Sequence, residues 1–574
     1  MAKSFTLSKT NAVLNFTKYY CTSTIELLNT SAFKEFVTVH LKYLKRKQKP
    51  LYFELNEIES DDKQLVYDLI VMFKLLVVMD INLIKVVHTD YFKYMEKQKS
   101  LLEFVETMYD YWRSLERYAL VYNSKSQKGI QNVHFIESHT DFENLILETY
   151  RTLSEKLQGK KNRVYRQLIA GVNAGIILND YHLAHEKGVY DKLRQVPIIE
   201  NIILHPPFIT YPRRTTRDGI FKEVMVNPLE DISIDKNDFL CYPAKVGKYF
   251  CLIYFHKDFM SMGVTLANLF ELAEVEYVKN TKPDLMYVFG IKDEEEKTCF
   301  YHDKDEDILI GYASYSEEFD YFGYMKKMIL TLHNVKGIDE GGLPIHGAMA
   351  LITMNNGQRK NVIIMGDSGA GKSETLEALR TLEDNGIRDI KIIFDDMGIL
   401  FNEDNVIKAY GTEVGAFVRL DDLDAGYAYR TIDRSIFMNP DKVNARIVIP
   451  VASYEEIIAG YEIDLFVYAN NYDADGKGIE LFKDIDEAKQ VFIDGARMAK
   501  GTTTEKGLVK SFFANPFGPV QRKNKTKKLI DEYFKLMKDN NIKVGQLKTR
   551  LGIKGLEHDG PHLAAIALLE ELNK

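Results

Sequence analysis

Hydrophobic and polar positions follow a helical period over the first third of the chain. Between about residues 20 and 190, apolar residues recur every three or four positions, as in Leu65 to Val78 and in Phe142 to Leu157. Ser60-Asp61-Asp62 and Thr140-Asp141 stand just before these two segments, and such residues favour the N-terminal cap of a helix. The pattern predicts a mainly helical N-terminal extension over residues 1–195.

The pattern changes near residue 200 to short apolar runs separated by Pro, Gly and charged turns. Tyr249 to Tyr254 and Leu285 to Phe289 are two such runs, and their composition favours β-strands. Strand and helix patterns then alternate toward the end of the chain. The sequence therefore predicts an α/β protein, with a mixed α/β middle lobe over residues 196–340 and a third lobe over residues 341–574.

The segment from Asn361 to Arg380 contains the pattern of a phosphate-binding loop, or P-loop. Val362 to Met365 predicts a buried strand, Glu374 to Arg380 predicts a helix, and the residues between them fit G-x-x-x-x-G-K-[ST]. Glycines let backbone N–H groups surround phosphate oxygens, the lysine reaches the β and γ phosphates, and the serine hydroxyl binds Mg²⁺. The alternative is a glycine-rich turn that binds nothing. The predicted nucleotide-binding residues are Gly366, Asp367, Ser368, Gly369, Ala370, Gly371, Lys372, Ser373 and Glu374.

A second candidate site follows the next apolar run. Ile392 to Phe394 predicts a strand, and Asp395 and Asp396 come directly after it. In P-loop enzymes, a carboxylate at the end of a neighbouring strand completes the Mg²⁺ shell and offsets the charge on the transferring phosphoryl group. The alternative is a turn in which the two aspartates cap backbone N–H groups.

Composition and charge restrict the kinds of molecule that the protein is expected to bind. The chain of 574 residues is 45% hydrophobic and 28% charged, which is typical of a globular protein, and its net charge of -8 argues against nucleic acid as the main partner. The first residues lack the pattern of a secretory signal. The most apolar stretch, Leu69 to Val87, is interrupted by charged residues that would be costly inside a bilayer. We therefore expect a cytoplasmic protein without a membrane partner.

Several motifs resemble, in the same order, those of the phosphoenolpyruvate carboxykinase family, in particular its ATP-dependent members. Tyr321 to Lys327, YFGYMKK, is similar to the family's Y-x-G-E-M-K-K, and IHGAMA from Ile345 is similar to its M-H-C-S-A-N. The P-loop and the Asp395-Asp396 pair follow at the corresponding places. The resemblance covers roughly residues 313–519.

The resemblance continues downstream of the aspartate pair. Gly411 to Phe417 is similar to the family's E-G-G-C-Y, and Asn444-Ala445-Arg446 is similar to its N-T-R. Residues 499–505 and Ser511 to Gly518 are similar to the K-V-A-G-T-E and F-S-A-C-F-G-A-P-F segments, which belong to the lid of those enzymes.

The resemblance implies a P-loop-containing, carboxykinase-like C-terminal lobe and a defined reaction. Members of the family decarboxylate oxaloacetate and phosphorylate it to phosphoenolpyruvate with release of CO₂, or run the reverse reaction. It also implies roles for individual residues. Lys327, His346 and Asp396 would hold Mn²⁺, Ser373 would hold the Mg²⁺ of the nucleotide, Lys372 and Arg446 would neutralise the moving phosphoryl group, Tyr321 would line the substrate pocket, and Glu413 would lie near the nucleotide.

Two departures from the family leave alternatives open. The family's substrate arginine lies in a G-R-S-P-K-D motif, which this sequence lacks. The nearest string is Arg213 to Gly219, with Arg214 as the candidate substrate arginine. These arginines fit an exposed basic face equally well. The P-loop GDSGAGKSE also resembles that of the bacterial phosphocarrier-protein kinase/phosphorylase, so a protein serine kinase is an alternative function. A third hypothesis is a nucleotide-binding scaffold without turnover, whose N-terminal region contacts a protein partner. The expected phosphoryl donor is ATP, with GTP and pyrophosphate left open.

Overall fold

The chain is of mixed α/β structure, as the sequence predicts, and it folds into two compact units. The computed structural model describes residues 4–122, 135–159, 170–180, 183, 187–205, 207–293, 295–380, 382, 386–420, 432, 434–499 and 507–574. Unit 1 comprises Met1–Asp180 with Ile199–His205, and unit 2 comprises Tyr181–Ile198 with Pro206–Lys574. The predicted boundary near residue 340 lies within unit 2 and stays a prediction.

Unit 1 combines a helical layer with a sheet. Its helices are α1 Thr24–Asn29, α2 Ser31–Arg46, α3 Pro50–Asn56, α4 Asp62–Val78, α5 Ile81–Val87, α6 Phe92–Glu96, α7 Gln98–Ser114 and α8 Phe135–Gln158. Its strands are β1 Phe5–Leu7, β2 Asn11–Asn15, β3 Glu116–Tyr122, β4 Ala174–Asn179 and β5 Ile198–Leu204, in the order β1-β2-β3-β4-β5. Strand β1 runs antiparallel to β2, whereas β2, β3 and β4 are parallel.

Of the two helix caps predicted in unit 1, one is confirmed and the other prediction is wrong. Asp61 caps α4 and accepts a hydrogen bond from Lys63 N. Helix α8, however, already includes Phe135, so Thr140-Asp141 lies inside it. Phe135 and Phe142 are both buried, seven residues apart on one face, so packing extends the helix past the residues that would favour a cap.

The first sheet of unit 2 confirms the two predicted strands. Tyr249 to Tyr254 lies in β9 and Leu285 to Phe289 in β11, and the central strands are buried along their whole length. The strand order is β8-β9-β11-β13-β12-β7, with β10 beside β8. The elements are β7 Lys222–Glu223, β8 Phe239–Val246, β9 Tyr249–His256, α9 Met260–Thr265, β10 Glu271–Leu272, α10 Val275–Asn280, β11 Leu285–Ile291, β12 Thr298–Asp303, β13 Ile308–Ser314 and α11 Phe322–Asp339.

The second sheet of unit 2 carries the predicted P-loop. Its order is β22-β18-β17-β14-β15-β23-β27-β24, with β16 beside β14, and two smaller sheets have the orders β19-β21-β20-β6 and β25-β26. The strands are β6 Phe208–Thr210, β14 Leu343–Met354, β15 Arg359–Met365, β16 Ile387–Phe394, β17 Met397–Glu403, β18 Val406–Gly411, β19 Gly415–Arg419, β20 Ile436–Met438, β21 Arg446–Pro450, β22 Tyr461–Glu462, β23 Leu465–Asn470, β24 Ile479–Leu481, β25 Ala496–Met498, β26 Leu508–Lys510 and β27 Lys543–Lys548. The helices are α12 Lys372–Arg380, α13 Tyr454–Ile457, α14 Ile485–Asp494, α15 Lys523–Asp539 and α16 Asp559–Leu572.

Strand β14 changes partners in its middle. Leu343 to His346 pair with β17, whereas Gly347 and the residues after it pair with β15 on one side and β16 on the other. Such a switch in pairing leaves room where strand ends diverge, and ligands commonly bind at such points. No helix in the described parts of the chain combines the length and apolar character needed to cross a bilayer.

Candidate functional site

The P-loop has the strand, loop and helix that the sequence predicts. Strand β15 ends at Met365 and α12 begins at Lys372. The chain between them has positive φ angles at Gly369 (78°) and Gly371 (93°), which side-chain-bearing residues rarely adopt. A Cβ atom at Gly371 would also lie 2.6 Å from Thr549 Cβ. The turn therefore depends on these glycines, and its backbone N–H groups are held at the N-terminus of α12.

Lys372 is folded onto the loop that contains it. Its Nζ donates hydrogen bonds to the carbonyl oxygens of Gly366 at 2.7 Å and Asp367 at 3.2 Å. The side chain is buried, so the charge is held by backbone dipoles. Glu374 lies in the first turn of α12, where an acidic side chain is stabilised by the helix dipole.

Ser373 and Asp395 bring the P-loop into contact with the end of β16. The Ser373 hydroxyl donates to Asp395 Oδ2 at 3.0 Å. Burial raises the pKa of Asp395, and the hydrogen bond from Ser373 opposes that rise. Both groups present oxygen atoms beside the phosphate-binding turn, and oxygen is the ligand atom that Mg²⁺ prefers.

Asp396 is the centre of a buried charge cluster. It lies between β16 and β17, level with His346 on β14, and its backbone carbonyl accepts from Gly347 N at 3.1 Å. Its Oδ2 accepts from Lys326 Nζ at 2.6 Å and from Lys327 Nζ at 2.7 Å, while its Oδ1 lies 2.7 Å from His346 Nε2. Lys327, His346 and Asp396, predicted as a set from distant motifs, are thus in direct contact.

The cluster shifts the pKa values of its members. Burial would raise the pKa of Asp396, but Lys326, Lys327 and His346 outweigh burial and hold the pKa well below the usual range. Burial lowers the pKa of Lys327, only partly offset by Asp396, and burial together with Lys372 lowers the pKa of His346. Both shifts lower the cost of reaching the neutral forms of Lys327 and His346, which are the forms that bind metals.

His346 is oriented by a second contact on its other ring nitrogen. Nδ1 lies 3.1 Å from the backbone carbonyl of Ala514 and 3.4 Å from Asp367 Oδ1. The carbonyl and the carboxylate oxygens only accept, so each ring nitrogen can hydrogen-bond its partner only by donating a proton; a proton on Nδ1 together with a metal ion at Nε2 would satisfy both contacts. Histidines that bind metals are commonly fixed in this way.

Lys326 and Glu413 extend the cluster away from the P-loop. Lys326 is fully buried, and its Nζ lies 2.9 Å from Glu413 Oε2 as well as 2.6 Å from Asp396. Burial would lower the pKa of Lys326, but attraction to Asp396 and Glu413 raises it. Burial raises the pKa of Glu413 to about 7 in spite of Lys326. Lys326 thus stays charged between two carboxyl groups whose pKa values are shifted in opposite directions, downward for Asp396 and upward for Glu413.

Aromatic rings form one side of the site and carry cations on their faces. Lys327 Nζ lies 4.8 Å and the Arg217 guanidinium 5.2 Å from the centre of the Phe517 ring. Burial lowers the pKa of Arg217, and its guanidinium lies among the aromatic rings of Phe221, Tyr324 and Phe517. Because Arg217 and Lys327 lie over the same ring, Arg217 is beside the Asp396 cluster.

A second ring, Phe417, supports the remaining predicted residues. The Arg446 guanidinium lies 5.1 Å from its centre, and Lys326 Nζ lies at 5.5 Å. The Tyr321 ring is 6.1 Å away. Arg446 also donates to Asn444 Oδ1 at 2.9 Å. Arg446 and Tyr321 therefore lie on the Lys326 side of the cluster.

Arg214, the predicted substrate arginine, has a partner elsewhere. Its guanidinium pairs with Glu318, and Arg213 pairs with Glu317 and Asp320, with both arginine side chains partly exposed. Residues 500–506 of the predicted lid lie outside the described part of the chain. Arg217 is the member of the arginine string that the fold brings to the site.

Arg497 is a site residue that sequence reasoning did not identify. Its Nε donates to Asp367 Oδ2 at 2.9 Å, with both side chains almost fully buried. Burial would raise the pKa of Asp367, but His346 and Arg497 lower it. Arg497 follows Gly495 at the end of α14, 130 residues from Asp367. No local motif signals such a contact.

Comparison with known proteins leaves the family of this chain open. Neither a family model nor a curated protein matches the sequence. Among the described residues, no group of three or more His, Cys, Asp and Glu side chains is arranged to hold a metal ion. A metal in the Asp396 cluster would therefore need Lys327 as a ligand in addition to His346 and Asp396.

Proposed function

We propose that unit 2 is a carboxykinase-like enzyme. It would decarboxylate oxaloacetate and transfer the γ-phosphoryl group of a nucleoside triphosphate, most simply ATP, to the resulting enolate, or run the reverse reaction. The observation that carries this proposal is the contact of Lys327 and His346 with one carboxylate, Asp396, next to a P-loop. A lysine whose pKa is lowered by burial suits a metal that stabilises an enolate and has no evident use in phosphoryl transfer to a protein.

The donor set of the cluster fits Mn²⁺. Burial lowers the pKa of Lys327 and of His346 toward their metal-binding neutral forms, Asp396 is held anionic, and the Ala514 carbonyl would hold the proton of His346 on Nδ1. These three side chains would hold the metal. When bound, the metal would stabilise the negative charge of the enolate as a Lewis acid. Lys326 remains protonated and keeps Asp396 in place.

The nucleotide would bind along the P-loop. Lys372 would leave the carbonyls of Gly366 and Asp367 to contact the β and γ phosphates, and Ser373 with Asp395 would hold the Mg²⁺ of the nucleotide. The N-terminus of α12 adds a favourable dipole. A nucleotide bound in this way would direct its γ phosphorus toward the Asp396 cluster.

The residues of the aromatic side would bind the substrate. Arg217 replaces Arg214 as the candidate for carboxylate recognition, because Arg217 shares the Phe517 ring with Lys327 whereas Arg214 is paired with Glu318. The carbon–carbon bond to the departing carboxylate would break, its electron pair would enter the enolate, and the enolate oxygen would displace the nucleoside diphosphate at the γ phosphorus. Arg446 and Lys372 would neutralise the charge on that group.

A protein serine kinase is the second candidate, and the pairing of His346 with Asp396 favours it. The ionised carboxylate of Asp396, paired with His346 beside a P-loop, could accept the proton of an attacking serine hydroxyl. The two functions separate at Lys327, because a protein kinase has no need of a metal-binding amine.

A coupled assay of phosphoenolpyruvate formation from oxaloacetate tests the proposal. It should be run with ATP, GTP and pyrophosphate, each with Mg²⁺ alone and with Mg²⁺ plus Mn²⁺. We expect activity that requires Mn²⁺ and one donor, and its loss in Arg217→Lys but not in Arg214→Lys. ATP binding without product under any condition would overturn the carboxykinase reading and favour the protein kinase.

A further inference from the structure

Unit 1 contains a cavity of about 480 Å³, open to solvent on one side, that the proposed function of unit 2 does not use. Its wall is formed by helices α1, α2, α7 and α8, by β1 and β2, and by the segment that follows β2. Pockets that bind small molecules typically measure about 300–1,000 Å³, so the cavity is large enough for a ligand.

The wall of the cavity is mostly aromatic and aliphatic. Phe16, Phe36, Trp112 and Phe142 line it, and they pack edge to face with ring centres 5.4 to 6.2 Å apart. Such packing fixes the rings, so the cavity keeps its shape without a ligand. An apolar cavity of this kind gains free energy by exchanging water for an apolar ligand.

Several polar groups of the wall are already hydrogen-bonded within the protein. Trp112 Nε1 donates to Ala170 O at 2.8 Å, and Tyr20 OH donates to Ser138 O at 3.0 Å. Tyr150 OH donates to Glu106 at 2.8 Å. Burial raises the pKa of the Cys21 thiol to about 11, so this side chain is neutral. These groups do not require a polar ligand.

Lys18 is the exception. Of the described residues that line the cavity, it is the only one that is charged at neutral pH. It is exposed, and it forms no ion pair with the described part of the chain. A cation at the edge of an apolar cavity attracts a ligand that carries an anionic group next to an apolar body.

We propose that this cavity binds a small amphipathic carboxylate, with its hydrocarbon part among the aromatic rings and its carboxylate at Lys18. The apolar contacts would supply most of the affinity. Because Lys18 is exposed, its ion pair would add a preference of about two- to five-fold over an uncharged ligand of the same length.

Fluorescence of Trp112 provides the assay, since this residue is the only tryptophan in the chain and lines the cavity. The full-length protein would be titrated with octanoate, octanol and octylamine, which share one hydrocarbon chain. We expect saturable fluorescence changes, with octanoate binding about two- to five-fold tighter than octanol and octylamine binding weakest. Absence of a saturable response to octanoate, or tightest binding of octylamine, would overturn the proposal.

Three variants locate the ligand. Lys18→Met should remove the preference for octanoate over octanol, whereas Lys34→Met, which removes an exposed lysine outside the cavity wall, should leave it unchanged. Ala32→Phe places a ring in the cavity and should abolish binding of all three ligands. An unchanged preference in Lys18→Met, or wild-type octanoate binding in a folded Ala32→Phe, would contradict the assigned site. If Ala32→Phe does not fold, Lys18→Met against Lys34→Met decides the matter.

Discussion

Replacing Glu413 by glutamine should remove a pH-dependent loss of stability from unit 2. Glu413 is almost fully buried, and burial raises its pKa from 4.5 to about 7 although Lys326 lies 2.9 Å away. Glutamine has nearly the same shape and cannot ionise. Lys326 keeps its contact with Asp396 in the variant.

The sign and size of the effect follow from the pKa. Below pH 4.5 the carboxyl group is protonated in the folded and the unfolded chain, so it causes no pH dependence. Between pH 4.5 and about pH 7 the unfolded chain releases the proton while the folded chain retains it. The free energy of unfolding then falls by ~1.4 kcal/mol per pH unit. The stabilisation that the protonated group provides at low pH, on the order of 3 kcal/mol, is lost once the pH exceeds the pKa of Glu413 in the folded protein.

Urea unfolding at pH 5 and pH 8 measures this contribution. Hydrogen exchange of residues 397–420 identifies the transition that belongs to the Glu413 region. We expect the stability of Glu413→Gln relative to the wild type to increase by about 2.5 kcal/mol from pH 5 to pH 8. The control is Glu532→Gln, which replaces an exposed glutamate on α15 and should show no such change. An equal difference at both pH values, or a change of opposite sign, would refute the reasoning.

Three further predictions concern the P-loop, the metal cluster and unit 1. Gly371→Ala should weaken ATP binding and lower the free energy of unfolding by about 1–3 kcal/mol, because Gly371 has a positive φ and an added Cβ would contact Thr549. Calorimetry measures the ATP affinity and urea unfolding measures the stability. Unchanged ATP affinity would contradict the P-loop assignment. Lys327→Met should abolish Mn²⁺-dependent phosphoenolpyruvate formation but retain ATP binding, whereas retained Mn²⁺-dependent turnover would exclude Lys327 as a ligand. Burial, with a further contribution from His205, lowers the pKa of His139 from 6.5 to about 4. As the pH falls from 6.5 to about 4, only the unfolded chain binds this proton. The free energy of unfolding should therefore drop by ~1.4 kcal/mol per pH unit in this range. Acid unfolding of His139→Gln should show a shallower loss than the wild type, and an equally steep loss would argue against this assignment.

Local patterns predicted the P-loop because its strand, glycines and helix are adjacent in sequence. The contact of Lys327, His346 and Asp396 was predicted only through the order of motifs that resemble a known family. Their mutual distances come from the change of partners in the middle of β14, which no local pattern signals. The assignment of these residues to catalysis stays a prediction.

Other features depend on contacts between distant segments. Strands β3 and β4 lie within the region predicted as mainly helical, because short buried apolar runs do not distinguish a strand from a core helix. Arg497 reaches Asp367 and Arg217 reaches Phe517 only after the chain has folded. A motif-based choice within Arg213 to Gly219 therefore selected Arg214, although Arg217 lies closer to the cluster.

Transfer of an isotopically labelled γ-phosphoryl group tests the central proposal most directly. The protein would be incubated with γ-¹⁸O-labelled ATP, oxaloacetate, Mg²⁺ and Mn²⁺, and the products would be analysed by mass spectrometry beside a Lys372→Met control. The proposal predicts labelled phosphoenolpyruvate that requires both oxaloacetate and Mn²⁺ and is absent from the control. Label that appears only in inorganic phosphate or in a protein serine would contradict it.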